Sequence, residues 1–356
     1  MPLVPMRCIL DHAAERGYGM PAFNITNLET LQGVLRAADA TDSPVILQAT
    51  RSARGYVGDI FLRHMLQASV ATYPHLPIAM HLDHGSSPSD CEGAFAVGFS
   101  SVMMDGSLME DGKTPSSYAY NVDVTARVVR NAHTRGISVE GEIGVLGSLE
   151  TGSGDQEDGH GFEGTLGRDK LVTDPDEAAS FVRDTGVDAL AVAIGTSHGA
   201  YKFSRKPSGE ILAMDALAEI HARLPNTHLV MHGASTVPME LQEKLNKFGG
   251  DIPQTYGVPM EEVEKGIRHG VRKVNIDTDI RMAMTAAIRR QFAEKPASFD
   301  IRGYLKPAVE SVASLCRERY ERFGCAGNGS RVRPVGLEEM AKRYAAGLVP
   351  MAGASE

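Results

Sequence analysis

Cysteine is scarce in this sequence, and its spacing argues against two common uses of the residue. The chain of 356 residues has four cysteines, at Cys8, Cys91, Cys316 and Cys325. They are scattered and form no Cys-x-x-Cys pair, which argues against a disulfide framework and against a cysteine-based zinc site. This pattern is typical of reduced thiols, and we therefore expect a cytoplasmic protein.

The sequence also lacks an excess of basic residues and lacks long apolar runs. Its 36 Lys and Arg against 45 Asp and Glu give a formal charge of −9, which argues against nucleic-acid binding. Apolar runs such as Ala189–Ile194 are far shorter than the about 20 residues that cross a bilayer, and Met1–Leu10 has no signal-peptide pattern. A small anionic substrate stays compatible with the charge, because a local cluster of donors can outweigh the net sign.

Short apolar, β-branched segments recur along the chain, and a helix-compatible segment follows each of them. The predicted strands are Gly19–Ile25, Pro44–Ala49, Pro77–Asp83, Ser101–Asp105, Ile137–Ile143, Ala189–Ile194, His228–His232 and Val271–Asp277. The predicted helices are Leu28–Thr41, Ile60–Thr72, Pro88–Val97, Ser117–Thr134, Pro175–Asp184, Met214–Arg223, Glu240–Phe248 and Met260–Gly270.

Strands that alternate with helices predict right-handed βαβ units and a parallel sheet. About eight such units at this length favour an α/β fold of the (β/α)8 TIM-barrel type. The alternative, an open doubly wound sheet, normally carries a GxGxxG turn after its first strand, and this sequence has none there. We expect residues 1–304 to form the barrel. Residues 305–356 should form a C-terminal helical arm, with a helix over Leu305–Phe323, packed on the barrel or on a neighbouring subunit.

Chemically capable residues follow the predicted strands at their C-terminal ends. They are His84, Asp105, Glu142, His198, His232 and Asp277. In a TIM barrel these ends form one face, and that face carries the active site. The sequence therefore predicts that these side chains meet.

Three of these residues are histidines, and each is next to a glycine. Three neutral imidazoles with one open position form a common catalytic zinc environment. His84, His198 and His232 are thus candidate zinc ligands, although any one of them alone would be an ordinary loop residue. His81 should point into the barrel below Asp83, where hydrogen bonding to a ligand is its expected role.

The carboxylates suggest a proton carrier and a second cation position. Asp83 directly precedes His84, so we expect it beside the metal and placed to move a proton; the alternative is a cap for the following helix. Asp105 and Glu142 end neighbouring strands, where two unpaired carboxylates would be costly without a cation between them. A second divalent cation is the simplest explanation, and a salt bridge to a basic side chain is the alternative.

Two loops predict an anion site and a lid. The segments HGAS and NIDTD follow the seventh and eighth strands, where barrels commonly bind phosphate. The expected donors there are Gly233, Ser235, Thr278, Gly199 and Lys202. The loop Gly144–Val172 is long and rich in glycine and acidic residues, so it should be a mobile lid or binding loop. A solvated insertion without a role is the alternative for 153–163.

These motifs resemble the class II, metal-dependent fructose-1,6-bisphosphate aldolases. The segments HLDHG, VMMDGS, VEGEIG, GTSHGAYK, HGAS and VNIDTD occur in the family order, and the likeness runs from Gly17–Asn24 to the Arg302 segment. The runs GSLETGSGDQEDGHG and KFSRKPSG are similar to the subtype often found with the Calvin cycle. The resemblance implies reversible cleavage of fructose 1,6-bisphosphate to dihydroxyacetone phosphate and glyceraldehyde 3-phosphate, with sedoheptulose 1,7-bisphosphate as a further substrate.

The resemblance also implies a role for individual residues. It places a catalytic zinc on His84, His198 and His232, and a second metal position at Asp105 and Glu142. It makes Asp83 the acid/base at the C4 oxygen and Glu150 the residue that exchanges the C3 proton. The family further uses a monovalent cation near the phosphate and forms homodimers or larger homo-oligomers.

Substrate-binding positions follow from the same resemblance. The dihydroxyacetone-phosphate pocket corresponds to Gly199, Gly233, Ala234, Ser235, Asn275, Ile276, Asp277 and Thr278. Asn24 and Thr50 correspond to substrate contacts on the first two strands, and Arg302 to a basic residue that reaches the other phosphate from the neighbouring subunit. Two departures are small: Thr50 replaces the usual serine, and Ile301 replaces a proline before Arg302.

Other functions fit parts of the pattern. A Schiff-base aldolase would need a lysine in a barrel strand, and Lys273 is the candidate. Tagatose-bisphosphate aldolase would differ in the C4 stereoisomer that it cleaves. A metal-dependent hydrolase would use a zinc-bound hydroxide, and a metal-binding scaffold would have no reaction.

Overall fold

The chain folds into a closed barrel of eight parallel strands. The computed structural model describes residues 3–147, 149, 153–154, 161, 164–165, 171–199, 203, 207 and 211–349. The barrel strands are β1 (Met20–Asn24), β2 (Val45–Thr50), β3 (Ile78–Gly85), β4 (Ser101–Met104), β5 (Ser138–Ile143), β8 (Ala189–Val192), β9 (His228–Met231) and β10 (Val271–Ile276). Two further short strands, β6 (Ser153–Gly154) and β7 (Gly164–Thr165), form a separate antiparallel pair within the predicted lid loop.

The strands pair in chain order around the barrel, and β10 closes it against β1. All eight predicted barrel strands are confirmed, and every residue of these strands is buried. Burial on both faces explains their nearly continuous apolar sequences, since a parallel barrel strand faces side chains inside and helices outside. The fold is therefore the predicted TIM barrel.

Helices cover the outside of the barrel. They are α1 (Met6–Arg16), α2 (Leu28–Thr41), α3 (Arg51–Val57), α4 (Asp59–Thr72), α5 (Pro88–Val97), α6 (Tyr118–His133), α7 (Pro175–Thr185), α8 (Met214–Arg223), α9 (Met239–Lys247), α10 (Met260–Arg268), α11 (Thr278–Glu294), α12 (Ile301–Arg322) and α13 (Leu337–Ala345). The eight predicted helices are present, whereas α1, α3, α11 and α13 lie outside the predicted segments. In the described part of the chain, no helix has the length and apolar character needed to cross a bilayer.

Local signals explain several helix ends. Asn27 and Thr30 form a reciprocal capping box at the start of α2, which satisfies backbone N–H groups that the first helical turn leaves open. Ser87 caps α5 through its hydroxyl, which accepts from the backbone N–H of Asp90, and Pro88 is at the first helical position. At its other end α5 stops at Gly98, whose φ of 102° an L side chain rarely adopts.

The C-terminal helices pack on the barrel. α12 lies against α2 and α11, and its start at Ile301 precedes the predicted helix start at Leu305. α13 lies at the N-terminal face of the barrel, where the Tyr344 hydroxyl donates to Asp188 Oδ1 at 2.8 Å. Asp188 precedes β8 and also binds Arg7 of α1 at 2.9 Å. A buried carboxylate thus connects the barrel floor to both ends of the described chain.

Candidate metal centre and active site

An irregularity in β3 brings two adjacent side chains to the same pocket. The register between β3 and β4 shifts between Leu82 and Gly85, so β3 carries one extra residue there. His84 lies at this bulge with a φ of 49°, in the left-handed region. Successive residues of a regular strand point to opposite faces, but here both Asp83 and His84 line the pocket.

Three histidines from three strands converge at the rim. Nδ1 of His232, just after β9, lies 2.9 Å from Nε2 of His84. The ring of His198 lies 5.0 Å from that of His84 and 6.2 Å from that of His232, measured between centroids. One ligand nitrogen from each ring lies within 4.8 Å of the others, and all three residues are buried. This arrangement can hold one cation.

Two carboxylates form a second group around the other side of His84. Asp105 Oδ2 lies 3.0 Å from His84 Nδ1, and Glu142 Oε2 lies 3.8 Å from the same nitrogen. Burial, and then the neighbouring Asp105 carboxylate, raise the pKa of Glu142 well above its ordinary value. His84, Asp105 and Glu142 therefore form a second place where a cation can bind, adjacent to the first.

Negative charge at the rim favours a positive charge on His84. Burial alone would lower its pKa, but the carboxylates of Asp83 and Asp105 outweigh burial and raise it to about 10. A proton or a metal cation can provide that charge. The donor set of imidazoles and carboxylates fits zinc and other first-row divalent ions, so the residues present fit the metal that the sequence resemblance implies.

Three side-chain amides surround the carboxylate of Asp83. Asn24 Nδ2 donates to Oδ2 at 3.0 Å, Gln48 Nε2 donates to Oδ2 at 3.2 Å, and Asn275 Nδ2 donates to Oδ1 at 3.1 Å. Burial alone would raise the pKa of Asp83, but the positive charge near His84 and Lys273 holds it well below its ordinary value. Asp83 is thus an oriented anion that faces the pocket.

A polar layer lies inside the barrel beneath the rim. Glu140 Oε1 lies 2.7 Å from His232 Nε2, and Lys273 Nζ lies 2.9 Å from Glu140 Oε2. Burial alone would raise the pKa of Glu140, but Lys273 and the hydrogen bond from His232 lower it to about 2. Burial and then Lys273 lower the pKa of His81 to about 3, so His81 is neutral. Its Nδ1 lies 2.8 Å from the Ser101 hydroxyl.

The loop after β9 approaches the neighbouring strand end closely. Gly233 has a φ of 62°, and a Cβ there would lie 2.5 Å from the Ser197 carbonyl oxygen. Asp279, in the first turn of α11, accepts hydrogen bonds from the backbone N–H of Thr236 and Val237 at 3.1 and 2.9 Å. Arg319 of α12 donates to the same carboxylate at 3.0 Å. These contacts fix the HGAS loop beside the N-terminus of α11.

Half of the predicted site residues line one pocket. Those that line it are Asn24, Thr50, Asp83, His84, His198, Gly233, Ser235, Asn275 and Asp277. His232, Asp105, Glu142, Ala234, Ile276 and Thr278 are buried at the same end of the barrel, and Gly199 follows His198. Arg302 lies elsewhere: it is at the start of α12, it is bound to Asp300, and its side chain is 84% exposed. Glu150 and Lys202 lie outside the described residues.

Several residues near the site do not stand out in the sequence. Arg51 and Ser52 line the pocket just after Thr50, and the Arg51 guanidinium has no hydrogen bond or ion pair with another described residue. Arg281 binds Asp277 through two hydrogen bonds of 2.7 and 2.6 Å. The signal that identifies Glu140 is a charged residue in the middle of a buried strand, because such a residue needs a partner inside the barrel.

Comparisons with known proteins agree with this geometry. Residues 4–328 match the family model described as fructose-bisphosphate aldolase class-II. The chain is 62% identical to a fructose-bisphosphate aldolase of Nostoc commune over 347 residues, which cover 98% of this chain and 97% of that protein. It is 61% identical to a fructose-bisphosphate aldolase class 2 of Synechocystis, with the same coverage, and 60% identical to a fructose-bisphosphate aldolase of Xanthobacter flavus over 98% of both chains.

Solved structures show the same fold. The crystal structure of the YdjI aldolase from Escherichia coli K12 has a TM-score of 0.69 at 26% identity and covers 92% of this chain and 99% of that chain. A fructose-bisphosphate aldolase from Campylobacter jejuni has a TM-score of 0.62 at 20% identity, a likeness that concerns the fold alone. The chain therefore belongs to the class II fructose-bisphosphate aldolase family, and it is a carbon–carbon lyase that acts on a sugar phosphate.

Proposed function

We propose that the protein catalyses the zinc-dependent, reversible cleavage of fructose 1,6-bisphosphate to dihydroxyacetone phosphate and glyceraldehyde 3-phosphate. One observation carries the proposal: His84, His198 and His232 converge within 4.8 Å beside an oriented carboxylate, Asp83, that lines the same pocket. A cation site next to a proton carrier is what aldol chemistry requires.

The three imidazoles would hold the zinc ion. When bound, the ion acts as a Lewis acid that stabilises the negative charge which develops at the substrate ketone as the C3–C4 bond breaks. Asp105 and Glu142, which share His84 with the first group, are the proposed ligands of a second divalent cation.

Asp83 is the proposed acid/base. In the cleavage direction its carboxylate takes the proton of the C4 hydroxyl, the C3–C4 electron pair stays with C3, and C4 becomes the aldehyde carbon. In the condensation direction Asp83 returns that proton to the new alkoxide. The amides of Asn24, Gln48 and Asn275 support this role because they hold the carboxylate in one orientation.

Glu150 is the proposed carrier of the second proton. After the aldehyde has left, it would protonate C3 to give dihydroxyacetone phosphate, and it would remove that proton in the reverse direction. This role comes from the family resemblance, and so does the proposal that the loop Gly144–Val172 closes over the substrate and excludes water.

The two phosphates of the substrate should lie at opposite sides of the metal. The ketone-side phosphate is proposed to lie between the HGAS loop and the N-terminus of α11, where backbone N–H groups and the helix dipole favour an anion. Its pocket comprises Gly199, Gly233, Ala234, Ser235, Asn275, Ile276, Asp277 and Thr278. A monovalent cation near this phosphate is part of the proposal.

The aldehyde-side phosphate needs a cation on the β2 side of the pocket. Thr50 and Asn24 are the proposed substrate contacts there, and Thr50 is directly opposite Asp83 in the strand register. Arg51 supports the proposal as a basic residue that lines the pocket in the same chain. Arg302 is the further proposed contact, supplied by a neighbouring subunit, because in its own chain it lies outside the pocket lining.

The assembly and cellular role follow from the same proposal. We expect a homodimer or larger homo-oligomer, with residues 305–356 as the arm that packs on the barrel or on a partner. The cyanobacterial relatives support a Calvin-cycle role with sedoheptulose 1,7-bisphosphate as a second substrate, beside glycolysis and gluconeogenesis. The four free, buried cysteines support a cytoplasmic location.

The deciding experiment measures cleavage of fructose 1,6-bisphosphate by the metal-stripped protein before and after zinc is added. We expect activity to disappear with the metal and to return with zinc. Borohydride reduction with substrate tests the Schiff-base alternative, which the ion pair between Lys273 and Glu140 disfavours. Activity that survives metal removal and is trapped by borohydride would overturn the zinc mechanism. Tagatose 1,6-bisphosphate serves as the stereochemical control.

A further inference from the structure

Glu140 and Lys273 form a buried ion pair across the barrel interior. Glu140 is on β5 and Lys273 is on β10, and β8 and β9 separate these strands around the barrel. Both side chains are 0% exposed. The proton transfers and phosphate contacts proposed above use neither residue. A buried ion pair seldom stabilises a protein more than apolar residues of the same volume would, so this pair needs another explanation.

Glu140 determines which nitrogen of His232 carries a proton. A carboxylate can only accept hydrogen bonds, so the 2.7 Å contact between Glu140 Oε1 and His232 Nε2 requires a proton on Nε2. A neutral imidazole then has its lone pair on Nδ1. That nitrogen faces His84 Nε2 at 2.9 Å, where the proposed metal would bind.

Asn275 supports the same tautomer independently. Its Nδ2 lies 3.1 Å from Asp83 Oδ1, so this atom is a donor, because the carboxylate can only accept. The same Nδ2 lies 3.2 Å from His232 Nδ1, which must therefore offer a lone pair. Both neighbours of His232 thus require the proton on Nε2.

Lys273 balances the charge of Glu140. Its ammonium lies 2.9 Å from Oε2, the carboxylate oxygen that His232 does not use. The other neighbour of Oε2 is His81 Nε2 at 3.4 Å. The Ser101 hydroxyl donates to the Ser138 carbonyl, so it accepts from His81 Nδ1, and the Nε2 of neutral His81 has no proton to offer Glu140. Lys273 is therefore the cation that keeps the carboxylate in place.

We propose that Glu140 and Lys273 are positioning residues that hold His232 with its Nε2 proton toward the barrel and its Nδ1 lone pair toward the metal. The inference rests on the proposed zinc site. Histidine ligands of metals commonly donate their second ring nitrogen to a carboxylate, and loss of that partner typically weakens metal binding about 10- to 100-fold.

The test replaces Glu140 by glutamine and measures zinc affinity by chelator competition with the full-length protein. In Glu140→Gln the ammonium of Lys273 repels the amide NH2, so the amide turns and presents that group to His232. We expect zinc affinity to fall about 10- to 100-fold. Nitrogen-15 spectra of histidine-labelled, metal-stripped protein should show the His232 proton moving from Nε2 to Nδ1.

A second variant separates tautomer control from simple core packing. In Glu140→Gln combined with Lys273→Met, no ammonium repels the NH2 group, so the glutamine oxygen can again accept from His232. We expect this double variant to bind zinc more tightly than Glu140→Gln alone. The matched control is Asp188→Asn, which breaks the buried pair with Arg7 at the opposite end of the barrel; it should lower stability and leave zinc affinity unchanged.

The outcomes distinguish the two proposals. If the unmodified protein binds no zinc, the proposed function fails. If it binds zinc and Glu140→Gln binds equally well with an unchanged tautomer, the positioning role is wrong. If the double variant binds zinc no more tightly than Glu140→Gln alone, the effects are those of a damaged core, and the positioning role is again wrong.

Discussion

His84 Nε2 and His232 Nδ1 lie 2.9 Å apart, although the two residues are 148 positions apart in the chain. Two neutral imidazole nitrogens at this distance repel each other unless a proton or a cation lies between them. The nearby carboxylates of Asp83 and Asp105 supply compensating negative charge, which outweighs burial and raises the pKa of His84. The contact therefore marks a position that favours a cation.

His198 completes the proposed trio, and its removal tests the ligand set. For His198→Ala we expect zinc affinity to fall more than about 100-fold, since loss of a hydrogen-bond partner of a ligand already costs up to that much. Elemental analysis after dialysis against a weak chelator measures the metal content. The control is His64→Ala, an exposed helix position. Equal zinc retention in both variants would remove His198 from the site.

Asp83 tests the proton transfer. For Asp83→Ala we expect kcat to fall by a factor of about 10² to 10⁴, the usual contribution of a general acid/base. The zinc content and the binding of dihydroxyacetone phosphate, measured by calorimetry, should be retained, because the three imidazoles and the HGAS loop are intact. Turnover near that of the unmodified protein would show that another group moves the proton.

Arg51 tests the second phosphate subsite. For Arg51→Ala we expect kcat/KM for fructose 1,6-bisphosphate to fall roughly 10- to 100-fold, as expected for a lost charge-assisted hydrogen bond. For fructose 1-phosphate, which lacks the distal phosphate, kcat/KM should stay nearly constant. Arg36→Ala, at an exposed ion pair with Glu310, is the control. An equal loss for both substrates would contradict a contact with that phosphate.

Gly233 tests the close approach of the HGAS loop. Position 233 has a φ of 62°, which residues with a side chain rarely adopt, and a Cβ there would collide with the Ser197 carbonyl oxygen. Gly233→Ala must therefore displace the loop. We expect a higher KM and a lower melting temperature, with zinc still bound. Gly55→Ala, where a Cβ meets nothing within 4 Å, is the control and should melt close to the unmodified protein. If Gly233→Ala and Gly55→Ala have the same melting temperature, position 233 does not require glycine for steric reasons.

The buried carboxylate of Asp188, at the N-terminal end of the barrel, should make the stability of the fold depend on pH. Burial alone would raise its pKa, but His133 and Arg7 hold it well below its ordinary value, and the Tyr344 hydroxyl also faces it. A depressed folded-state pKa stabilises the fold above the unfolded-state pKa of about 3.9 and loses this effect as the pH falls further.

We expect Asp188→Asn to lower the free energy of unfolding at pH 7 by about 3 to 5 kcal/mol, because it removes the buried carboxylate that pairs with Arg7 and His133 and leaves Arg7 with the more exposed carboxylate of Asp11, 3.5 Å away. Urea titrations should show that the difference in unfolding free energy between the unmodified protein and Asp188→Asn becomes smaller below about pH 4. Asp39→Asn, at an exposed pair with His75, is the control and should be nearly neutral at every pH. If this difference in unfolding free energy is constant with pH, the carboxylate charge of Asp188 does not contribute to stability.

The eight barrel strands and most of the rim could be predicted from the sequence for a physical reason. Buried parallel strands need continuous apolar, β-branched segments, and polar residues that end such segments must share one face. His84, His198 and His232 come together through this rule alone.

Other features depend on contacts that local patterns do not encode. The bulge at His84 depends on the close packing of β3 against β4, where a Cβ on Gly85 would lie 2.8 Å from the Met103 carbonyl oxygen. The pairing of Glu140 with Lys273 joins strands that are far apart in the chain. The start of α12, and with it the position of Arg302, depends on packing against α2 and α11 rather than on a barrel strand.

The bulge in β3 has a consequence for motion during turnover. Because Asp83 and His84 are joined by a single planar peptide unit, motion of the strand moves the proposed acid/base and the proposed metal ligand together. The distance between these two residues therefore changes less than the distance between two groups on separate loops would. The proposed acid/base and the proposed metal ligand would thus keep their spacing while a sugar bisphosphate enters and leaves the pocket.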